Sequence, residues 1–384
     1  MRLSIGNVAD GKNYFERPYL NEKFWRLLEN SNHLSIAAPR RVGKTSLMTD
    51  IAEKQKEGYK VVYMITESVN NRNEFFRKVY KELLNILSNS RKLSEQIKVI
   101  YSRLEIKKIS ATGMEFGKSE IDFFEEIKDL LKKVTEKDSH IVLMVDEFSQ
   151  TLENIINGNG KDDAKIFLHQ CRELRIDHSC KGKISFVYTG SVGLENLVAS
   201  IDESKSISDI GRFEMPTLTQ EEAHKLIEQI LNNEGYVFEV EEQSYLVEKT
   251  KWLLPYFIQI IMSSIEEICI RKNTKTITKP IIDAAFVKCL DNRSYFEHWV
   301  SRLRIMFKGS QYSCIKEMLN LTAIQNFQSK YDYYDIATKF EVEDVGILIR
   351  MLEHDGYVTK HIAEDKYRFN SPLLQEWWLR NIVN

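Results

Sequence analysis

The first residues whose types and spacing could do chemistry form the segment A-P-R-R-V-G-K-T-S, from Ala38 to Ser46. Glycine followed by lysine and a hydroxyl residue is typical of a phosphate-binding loop (P-loop), provided that a strand precedes it and a helix follows. In such a loop, backbone N–H groups and the positive end of the helix dipole attract an anion. The lysine reaches the β- and γ-phosphates, and the hydroxyl ligates Mg²⁺. The segment therefore predicts a nucleotide-phosphate site.

Each residue of this loop has a predicted role. Lys44 is the predicted phosphate-binding cation, and the Thr45 hydroxyl is a predicted Mg²⁺ ligand. Ala38 stands where such loops usually carry their first glycine, and alanine costs little there if its φ is negative. Arg40 and Arg41 could contact phosphate or a neighbouring subunit, or could equally be a solvated pair. The residues predicted to bind the nucleotide are Pro39, Arg40, Arg41, Val42, Gly43, Lys44, Thr45 and Ser46.

A second group of candidate residues, Asp146 and Glu147, follows the apolar run Ile141–Val145. The run predicts a buried strand that carries Asp146 to its carboxyl end. Asp146 can then hold Mg²⁺ through its water shell, and Glu147 is placed to polarise the attacking water. An acidic helix cap after a buried strand would have the same sequence, but the order of the two motifs favours catalysis. Lys44, Asp146 and Glu147 are therefore the predicted catalytic set.

A third candidate position is the end of the apolar run Ile184–Tyr188, where Thr189 and Ser191 follow. If this strand lies beside the Asp146 strand, one of these hydroxyls could sense the γ-phosphate, although a plain turn would look the same. Hydrolysis in such sites usually needs an arginine at the γ-phosphate as well. The candidates for that arginine are Arg172, Arg175 and Arg212, with Arg212 ranked first.

The elements that must position these residues alternate between strand and helix up to residue 218. This alternation predicts an α/β domain with a doubly wound parallel sheet, whose ligand lies at the carboxyl ends of the strands. In the stretch 90–120, a helix over Ser94–Leu104 and a hairpin near Gly113 and Gly117 are predicted. Apolar runs predict the sheet strands at 33–37, 60–66, 141–146, 184–191 and 212–215.

From Thr219 onward the sequence pattern is helical. Thr219 and Glu222 form a capping box that opens a helix, and the helices after it are typical of a small lid. From about Arg302, three helices, a β-hairpin with its turn at Glu364–Asp365 and a closing helix form a winged-helix pattern. The predicted domains are a P-loop nucleotide-binding core at 1–218, a helical lid at 219–295 and a winged-helix domain at 296–384.

The composition is that of an ordinary globular protein. Of the 384 residues, 43% are hydrophobic and 29% are charged, and the net charge of −2 gives no overall basic field that would attract nucleic acid. The five cysteines lack metal-binding spacing, which argues against a zinc site and a disulfide framework. The N-terminus lacks a signal-peptide apolar region, and the run Trp252–Met262 is too short to span a bilayer. We therefore expect a soluble, cytoplasmic protein without a membrane partner.

Together these segments resemble a known family. Over nearly its whole length the chain is similar to bacterial and archaeal P-loop ATPases of the AAA+/STAND type, in the branch close to the origin-recognition initiator ATPases. The segments that carry the resemblance are F-E-R at 15–17, A-P-R-R-V-G-K-T-S-L at 38–47, D-E-F at 146–148, T-G-S-V-G-L-E at 189–195, P-T-L-T-Q-E-E-A at 216–223, W-L-L-P-Y-F-I-Q at 252–259 and Y-R-F-N-S-P-L-L-Q-E-W-W at 367–378.

The resemblance implies an AAA+-like core that binds ATP with Mg²⁺. It also implies that Pro255 lies at the adenine side of the site and that the segment of Arg17 flanks the base. The chain departs from the family pattern at 252–254, where Trp-Leu-Leu replaces the glycines that often precede this proline. A second-sensor arginine is not evident in the lid, where Lys249 and Lys251 are weak substitutes.

Three functions compete on these observations. The first is an ATP-hydrolysing molecular switch that controls a macromolecular partner, with slow turnover of ATP to ADP and phosphate. The second is an ATP-dependent DNA-loading or remodelling ATPase that grips duplex DNA through the winged helix. The third is a nucleotide-binding scaffold that does not hydrolyse ATP. Glu147 counts against the scaffold, because a scaffold needs no base beside the metal-binding aspartate.

Charge decides between the first two functions. The third helix of the predicted winged helix has Arg350 as its one firm positive charge, against Asp344, Glu353 and Asp355. Basic and acidic residues are equal in number from Ser301 onward. Binding to DNA phosphates needs several positive charges on one face. We therefore expect a protein partner or self-association, with DNA as the less favoured partner.

Overall fold

The structure is a computed structural model of the chain. It describes residues 5–6, 9, 11–88, 108–110, 113–115, 121–134, 139–190, 193–231, 235–361 and 365–383. The predicted helix Ser94–Leu104, together with Gly117, Ser191 and Glu364, lies outside the described residues. The chain forms two compact units. The first, called here the sheet unit, contains Pro18–Ala37 and Leu47–Glu214, and the second, called the helical unit, contains Met1–Arg17, Ala38–Ser46 and Met215–Asn384.

Parallel strands form the centre of the sheet unit. Its described strands are β1 (Leu34–Ala37), β2 (Tyr59–Ile65), β3 (Lys108–Ser110), β4 (Gly113–Glu115), β5 (His140–Asp146), β6 (Ile184–Thr189) and β7 (Gly211–Glu214). Among these, β3 and β4 form a separate antiparallel pair, and the other five form one parallel sheet in the order β2-β5-β6-β1-β7. The predicted fold class, an α/β domain with a parallel sheet, is confirmed.

Helices cover this sheet and connect its strands. They are α1 (Pro18–Ser31), α2 (Lys44–Lys54), α3 (Arg72–Ser88), α4 (Phe123–Lys133), α5 (Phe148–Asn159), α6 (Lys161–Ile176) and α7 (Leu194–Ala199), with 3₁₀ turns at Gly11–Asn13 and Ser204–Ile207. The first three residues of α2 belong to the helical unit. Asp122 caps α4 by accepting hydrogen bonds from the N–H groups of Phe124 and Glu125.

The strand β5 is a continuous apolar run because it lies in the core of the sheet unit. All of Ile141–Val145 is buried, as expected for a strand that helices cover on both faces. Aromatic side chains from the neighbouring elements fill the space around it. Phe148 and Tyr188 have ring centroids 4.2 Å apart, and Phe75 and Phe167 have theirs 4.9 Å apart. This packing fixes the carboxyl ends of β5 and β6 side by side.

Most of the helical unit, Met215–Asn384, follows the sheet unit in the chain. Its described helices are α8 (Gln220–Leu231), α9 (Val240–Thr250), α10 (Pro255–Arg271), α11 (Lys279–Asp291), α12 (Glu297–Met306), α13 (Gly309–Gln325), α14 (Lys330–Lys339), α15 (Val345–His354) and α16 (Pro372–Trp378), with a 3₁₀ turn at Arg293–Tyr295 and a π-helical turn at Leu379–Val383. The predicted capping box is present, because the Thr219 N–H donates to the Glu222 carboxylate at 2.9 Å and the Glu222 N–H donates to the Thr219 hydroxyl at 3.2 Å.

The end of the helical unit combines helices with a small sheet. The strands β8 (Gln328–Ser329), β9 (Val358–His361) and β10 (Lys366–Phe369) are antiparallel in the order β8-β10-β9. Neither β8 nor α12 was predicted, and β8 is too short to show an alternating pattern. The assignment of this segment as a winged helix stays a prediction, and so do the domain boundaries at 218/219 and 295/296.

The described residues contain no membrane-spanning helix and no disulfide. No helix among them is both long enough and apolar enough to cross a membrane. All five cysteines lie in described segments and are buried free thiols. No group of three or more His, Cys, Asp or Glu side chains in this part of the chain is placed to hold a metal ion.

A buried histidine lies immediately before β1 in the sheet unit. The Nδ1 atom of His33 accepts a hydrogen bond from the Phe186 N–H at 3.1 Å, and its Nε2 lies 3.2 Å from the Arg175 carbonyl oxygen. These partners require the neutral ring with its proton on Nε2. Burial, and after it the positive charge of Arg175, lower the pKa of His33 to about 4.

This pKa predicts a loss of stability in acid. The unfolded chain has a histidine pKa of about 6.5, so between that pH and about 4 the unfolded state binds a proton that the folded state does not. The free energy of unfolding should therefore fall as the pH drops through this window, by up to about 1.4 kcal/mol per pH unit from His33. Urea unfolding of wild type and His33→Gln at several pH values measures it. The stability difference between the two proteins should shrink in acid, and a constant difference would contradict the prediction.

Candidate functional site

The carboxyl end of β5 holds a buried carboxylate, that of Asp146. Its Oδ2 accepts a hydrogen bond from the Tyr63 hydroxyl at 2.8 Å, and its Oδ1 accepts from the Thr189 hydroxyl and from the Glu147 N–H, the latter at 3.1 Å. Asp146 is only 4% exposed, and a buried charged group must be hydrogen-bonded. The donors come from β2, from β6 and from the residue after β5. They fix the direction in which the carboxylate points.

Thr189 ends the strand next to β5, as the sequence predicted. The two strands pair in parallel, with Val145 opposite Tyr188, so their carboxyl ends lie at the same edge of the sheet. Thr189 is buried and donates its hydroxyl to Asp146. The predicted role of Thr189 as a γ-phosphate sensor stays a prediction, and the alternative candidate Ser191 lies outside the described residues.

Glu147 adopts an unusual backbone conformation directly after Asp146. Its φ of 58° and ψ of 35° lie in the left-handed region, which costs a residue other than glycine roughly 1–3 kcal/mol. Glu147 occupies the N-cap position of α5, yet among the described residues its side chain makes no capping hydrogen bond. A cap would accept a hydrogen bond from an N–H of the first turn. The geometry therefore does not support the alternative that Glu147 is only an acidic helix cap.

Gly190 brings the end of β6 against the first turn of α5. A Cβ atom built on Gly190 would lie 2.6 Å from the Ser149 Cβ and closer still to its hydroxyl. Ser149 is itself buried. Only glycine therefore lets these elements approach so closely. Gly190 belongs to the motif at 189–195, but the sequence predicts no role for it, because the serine that it contacts is 41 residues away.

We predict that Gly190→Ala destabilises the protein by about 1–3 kcal/mol, the usual cost of overpacking. Urea unfolding measures the change. Gly158→Ala is a matched control in α5, because a Cβ there meets nothing closer than the Asn70 carbonyl oxygen at 4.0 Å. Ser149→Gly should reduce the effect of Gly190→Ala, since it removes the clashing atoms. Equal losses with and without Ser149 would contradict the proposed clash.

The predicted phosphate-binding loop lies in the helical unit, between β1 and α2. Arg41 and Gly43 have φ values of 65° and 101°, whereas the φ of Ala38 is negative, so alanine fits there as expected. The Lys44 ammonium donates to the carbonyl oxygens of Ala38 at 2.9 Å and Pro39 at 3.0 Å. The loop therefore folds around its own lysine. Val42 and Ser46 are buried, Pro39 and Thr45 are half-buried, and the Ser46 hydroxyl accepts from the Ala9 N–H at 3.2 Å.

Arg41 points towards the C-terminal part of the helical unit. Its guanidinium lies 4.9 Å from the centroid of the Tyr256 ring, donates to the Gly6 carbonyl oxygen at 3.3 Å and lies 3.5 Å from Nε2 of His298. Burial, with the charges of Arg41 and Arg40 added to it, lowers the pKa of His298 to about 3, so this ring is neutral at ordinary pH. The alternative of a solvated arginine pair is therefore wrong for Arg41. Arg40 is half-buried.

Arg17 and Pro255 belong to the same compact unit as the loop. The Arg17 guanidinium is buried and contacts the Glu222 carboxylate at 3.0 and 3.1 Å and the carbonyl oxygens of Pro216 and Thr217 at 2.8 and 3.0 Å. Its side chain thus anchors the N-terminal segment to the start of α8. Pro255 is the first residue of α10. Their placement beside an adenine stays a prediction.

The candidates for the arginine at the γ-phosphate and for the second sensor differ in burial and in their ion pairs. Arg175 is buried and pairs with Asp209 at 2.6 Å, so the prediction that it could act as an arginine finger is wrong. Arg172 lies 3.8 Å from the same carboxylate. Arg212 is exposed and pairs with Glu214 at 3.2 Å, and it remains the first candidate. In the helical unit, Lys249 pairs with Asp283.

These residues fit Mg²⁺ and nucleotide phosphates. Mg²⁺ prefers oxygen ligands and is usually held by one or two carboxylates, water and substrate phosphates. A carboxylate has about four lone-pair sites, so Asp146 can accept its hydrogen bonds and still contact the water shell of a cation. The Thr45 hydroxyl is an oxygen of the kind that Mg²⁺ accepts, and the Lys44 ammonium is a cation of the kind that binds phosphate. The metal and phosphate roles of these residues stay predictions.

The fold and the loop define the class of protein. A parallel sheet of order β2-β5-β6-β1-β7, with the phosphate-loop sequence directly after β1, is the fold of a P-loop NTPase of the AAA+ type. Residues 25–194 match the model of an ATPase domain found predominantly in Archaea. Residues 25–194 are therefore similar to an archaeal-type ATPase domain. No curated protein matches the chain significantly.

Solved structures agree with this class over nearly the whole chain. A Walker-type ATPase of Pyrococcus abyssi superposes with a TM-score of 0.66 and 13% identity, covering 98% of this chain and 99% of that one. The ORC2 protein of Aeropyrum pernix, solved as ADPNP–ADP complexes, superposes with a TM-score of 0.52 and 14% identity, covering 95% and 92%. At such identities the similarity shows the fold and not the activity.

Proposed function

We propose that this protein is a molecular switch that binds ATP with Mg²⁺, hydrolyses it slowly and controls a macromolecular partner. The observation that carries the proposal is the junction of β5 and α5. There, a buried carboxylate precedes a glutamate in a strained conformation that makes no cap for its helix among the described residues. Backbone strain of this kind collects at functional sites.

Each residue of the proposed site has a chemical task. Lys44 would bind the phosphates, and Thr45 and Asp146 would hold the metal ion. Mg²⁺, when bound, neutralises charge on the phosphates. Glu147 takes a proton from the water that attacks the γ-phosphate, and ADP leaves with the electrons of the broken bond. Thr189 keeps Asp146 in place through its hydroxyl.

The packing around the loop in the helical unit supports the proposed switch. Arg41 stacks on Tyr256 of α10. A Cβ atom built on Gly356, between α15 and β9, would lie 3.3 Å from the Pro39 Cβ and 2.7 Å from Cζ2 of the Trp252 ring. Loop, lid helix and C-terminal hairpin therefore pack closely. A change in the loop between ATP and ADP would have to be accommodated by the C-terminal elements, since packed side chains rearrange in discrete steps.

The experiment that tests this function separates binding from chemistry. Glu147→Gln keeps the size of the side chain and removes the base, so ATP should bind normally while hydrolysis falls by about 10²–10⁴-fold. Lys44→Ala removes the phosphate-binding cation and should abolish binding. Calorimetry with ATP and Mg²⁺ measures the affinity, and phosphate release measures the rate.

Two results would contradict the proposal. Unchanged ATP affinity in a folded Lys44→Ala protein would remove the loop as the phosphate site. Hydrolysis by Glu147→Gln at a measurable wild-type rate would show that Glu147 is not the base. A wild type that binds ATP but does not hydrolyse it would instead favour a nucleotide-binding scaffold. Circular dichroism of both variants controls for folding.

The second candidate function is an ATP-dependent grip on duplex DNA. One observation weakens the charge argument against this function. Asp355 is buried and pairs with Arg302, which lies 3.5 Å away and is equally buried. Asp355 therefore does not face a ligand, and the expectation that it opposes DNA is wrong. Arg350 of α15 is exposed, and Tyr331 of α14 is 80% exposed. On the hairpin, however, Asp365 pairs with Lys360 at 2.5 Å, which offsets a positive charge.

We expect the DNA affinity to be weak. Because basic and acidic residues are equal in number from Ser301 onward, the protein should bind random duplex no tighter than the roughly 10⁻⁴–10⁻⁶ M of non-specific electrostatic contact at physiological salt. Fluorescence anisotropy with and without ATP, at two salt concentrations, measures it. Arg350→Glu is the matched variant that should weaken any contact through α15. Nanomolar, ATP-dependent binding would overturn the preferred function in favour of DNA loading.

A further inference from the structure

Tyr63 contacts the Asp146 carboxylate from β2, the strand on the opposite side of β5 from Thr189. Its phenol hydroxyl donates to Oδ2 at 2.8 Å, while Thr189 and the Glu147 N–H donate to Oδ1. We infer that Tyr63 is a positioning residue of the magnesium site, holding the metal-binding carboxylate in its orientation. The inference rests on the proposed function and extends it to a residue outside both motifs.

The register of the sheet explains why this position requires a tyrosine. In the parallel pair of β2 and β5, Tyr63 lies opposite Met144, and Ile65 lies opposite Asp146. Residues two apart on a strand face the same side, so Tyr63 lies on the same face of the sheet as Met144 and Asp146. It lies two residues before Ile65, the residue opposite Asp146. Diagonal neighbours of this kind are about 7–8 Å apart and are bridged only by long side chains. A tyrosine side chain is long enough to cover this distance and ends in a hydroxyl that can donate to the carboxylate. Phenylalanine covers a similar distance but has no hydroxyl.

Tyr63 and Thr189 flank the carboxylate from opposite sides. β5 lies between β2 and β6 in the sheet, so one hydroxyl approaches from each neighbouring strand, and each contacts a different carboxylate oxygen. A carboxylate held at both oxygens cannot rotate about its terminal bond without losing one of the two contacts. Side chains that orient a metal ligand in this way typically change metal affinity by 10–100-fold when they are removed.

In this arrangement Tyr63 affects the metal ion only through the orientation of Asp146. It does not need to touch phosphate, so the loss of its hydroxyl should leave the loop able to bind the nucleotide itself. What should change is the contribution of the metal ion to that binding. Metal dependence thus distinguishes a positioning role from general support of the fold, which would weaken binding with or without Mg²⁺.

The test measures nucleotide binding as a function of free Mg²⁺. A fluorescent ADP analogue is titrated against wild type, Tyr63→Phe and Tyr59→Phe, in EDTA and at increasing Mg²⁺. Tyr59→Phe is the matched control: it removes a hydroxyl from the other end of β2, where Tyr59 packs on Trp25 with ring centroids 5.0 Å apart and, among the described residues, its hydroxyl has no hydrogen-bond partner. Thermal melting compares the folding of the three proteins.

For Tyr63→Phe we expect unchanged affinity in EDTA and a rise of about 10–100-fold in the Mg²⁺ concentration that gives half of the metal effect. Tyr59→Phe should behave as wild type. Thr189→Val removes the other hydroxyl and should shift the Mg²⁺ dependence in the same direction.

Each remaining outcome contradicts the inference in a distinguishable way. Equal Mg²⁺ dependence of Tyr63→Phe and wild type would overturn the role of Tyr63 and leave the proposed function standing. Weaker binding by Tyr63→Phe in EDTA, with the Mg²⁺ dependence unchanged, would make the hydroxyl a support of the fold. Wild type that binds no nucleotide, or binds it without any response to Mg²⁺, would overturn the proposed metal site, and with it the role of Tyr63.

Discussion

The arrangement of the sheet unit depends on one buried carboxylate, that of Asp146. A charged group that is almost out of contact with water must be surrounded by donors, and here the donors belong to three separate chain segments. β2 and β6 must therefore flank β5 in one register. The main chain is fixed at the same point, because the N–H and the hydroxyl of Thr66 both donate to the Asp146 carbonyl oxygen at 3.0 Å.

Close packing around that carboxylate accounts for the strained residue beside it. The chain must turn from β5 into α5 within one residue, and Glu147 makes that turn in the left-handed conformation. Gly190 leaves the space that the first turn of α5 occupies, and the Thr151 hydroxyl ties this helix to the Thr66 carbonyl oxygen at 2.7 Å. Several contacts together hold a backbone geometry that a glutamate alone would avoid.

In the helical unit, arginines have the corresponding task of joining distant segments. Arg17 joins the N-terminal segment to the start of α8 through Glu222, which also caps that helix. Arg41 joins the loop to Tyr256 and His298, and Arg302 pairs with Asp355 below the hairpin. A planar guanidinium with several donors suits such junctions better than an ammonium. The nucleotide loop thereby shares its packing with the C-terminal elements.

The sequence by itself determined the features that local pattern encodes. The apolar runs of the sheet strands, the capping box at Thr219 and the spacing of Gly43, Lys44 and Thr45 can each be recognised within a few residues. Only the tertiary structure decided which distant side chains meet. From the sequence, Tyr63 is an ordinary strand residue, Arg175 is a candidate arginine finger and Asp355 is a negative charge that opposes DNA. In the structure, each is defined by a partner on another element. Strand order and register choose those partners, and both are set by the burial of the whole core rather than by any local run of residues.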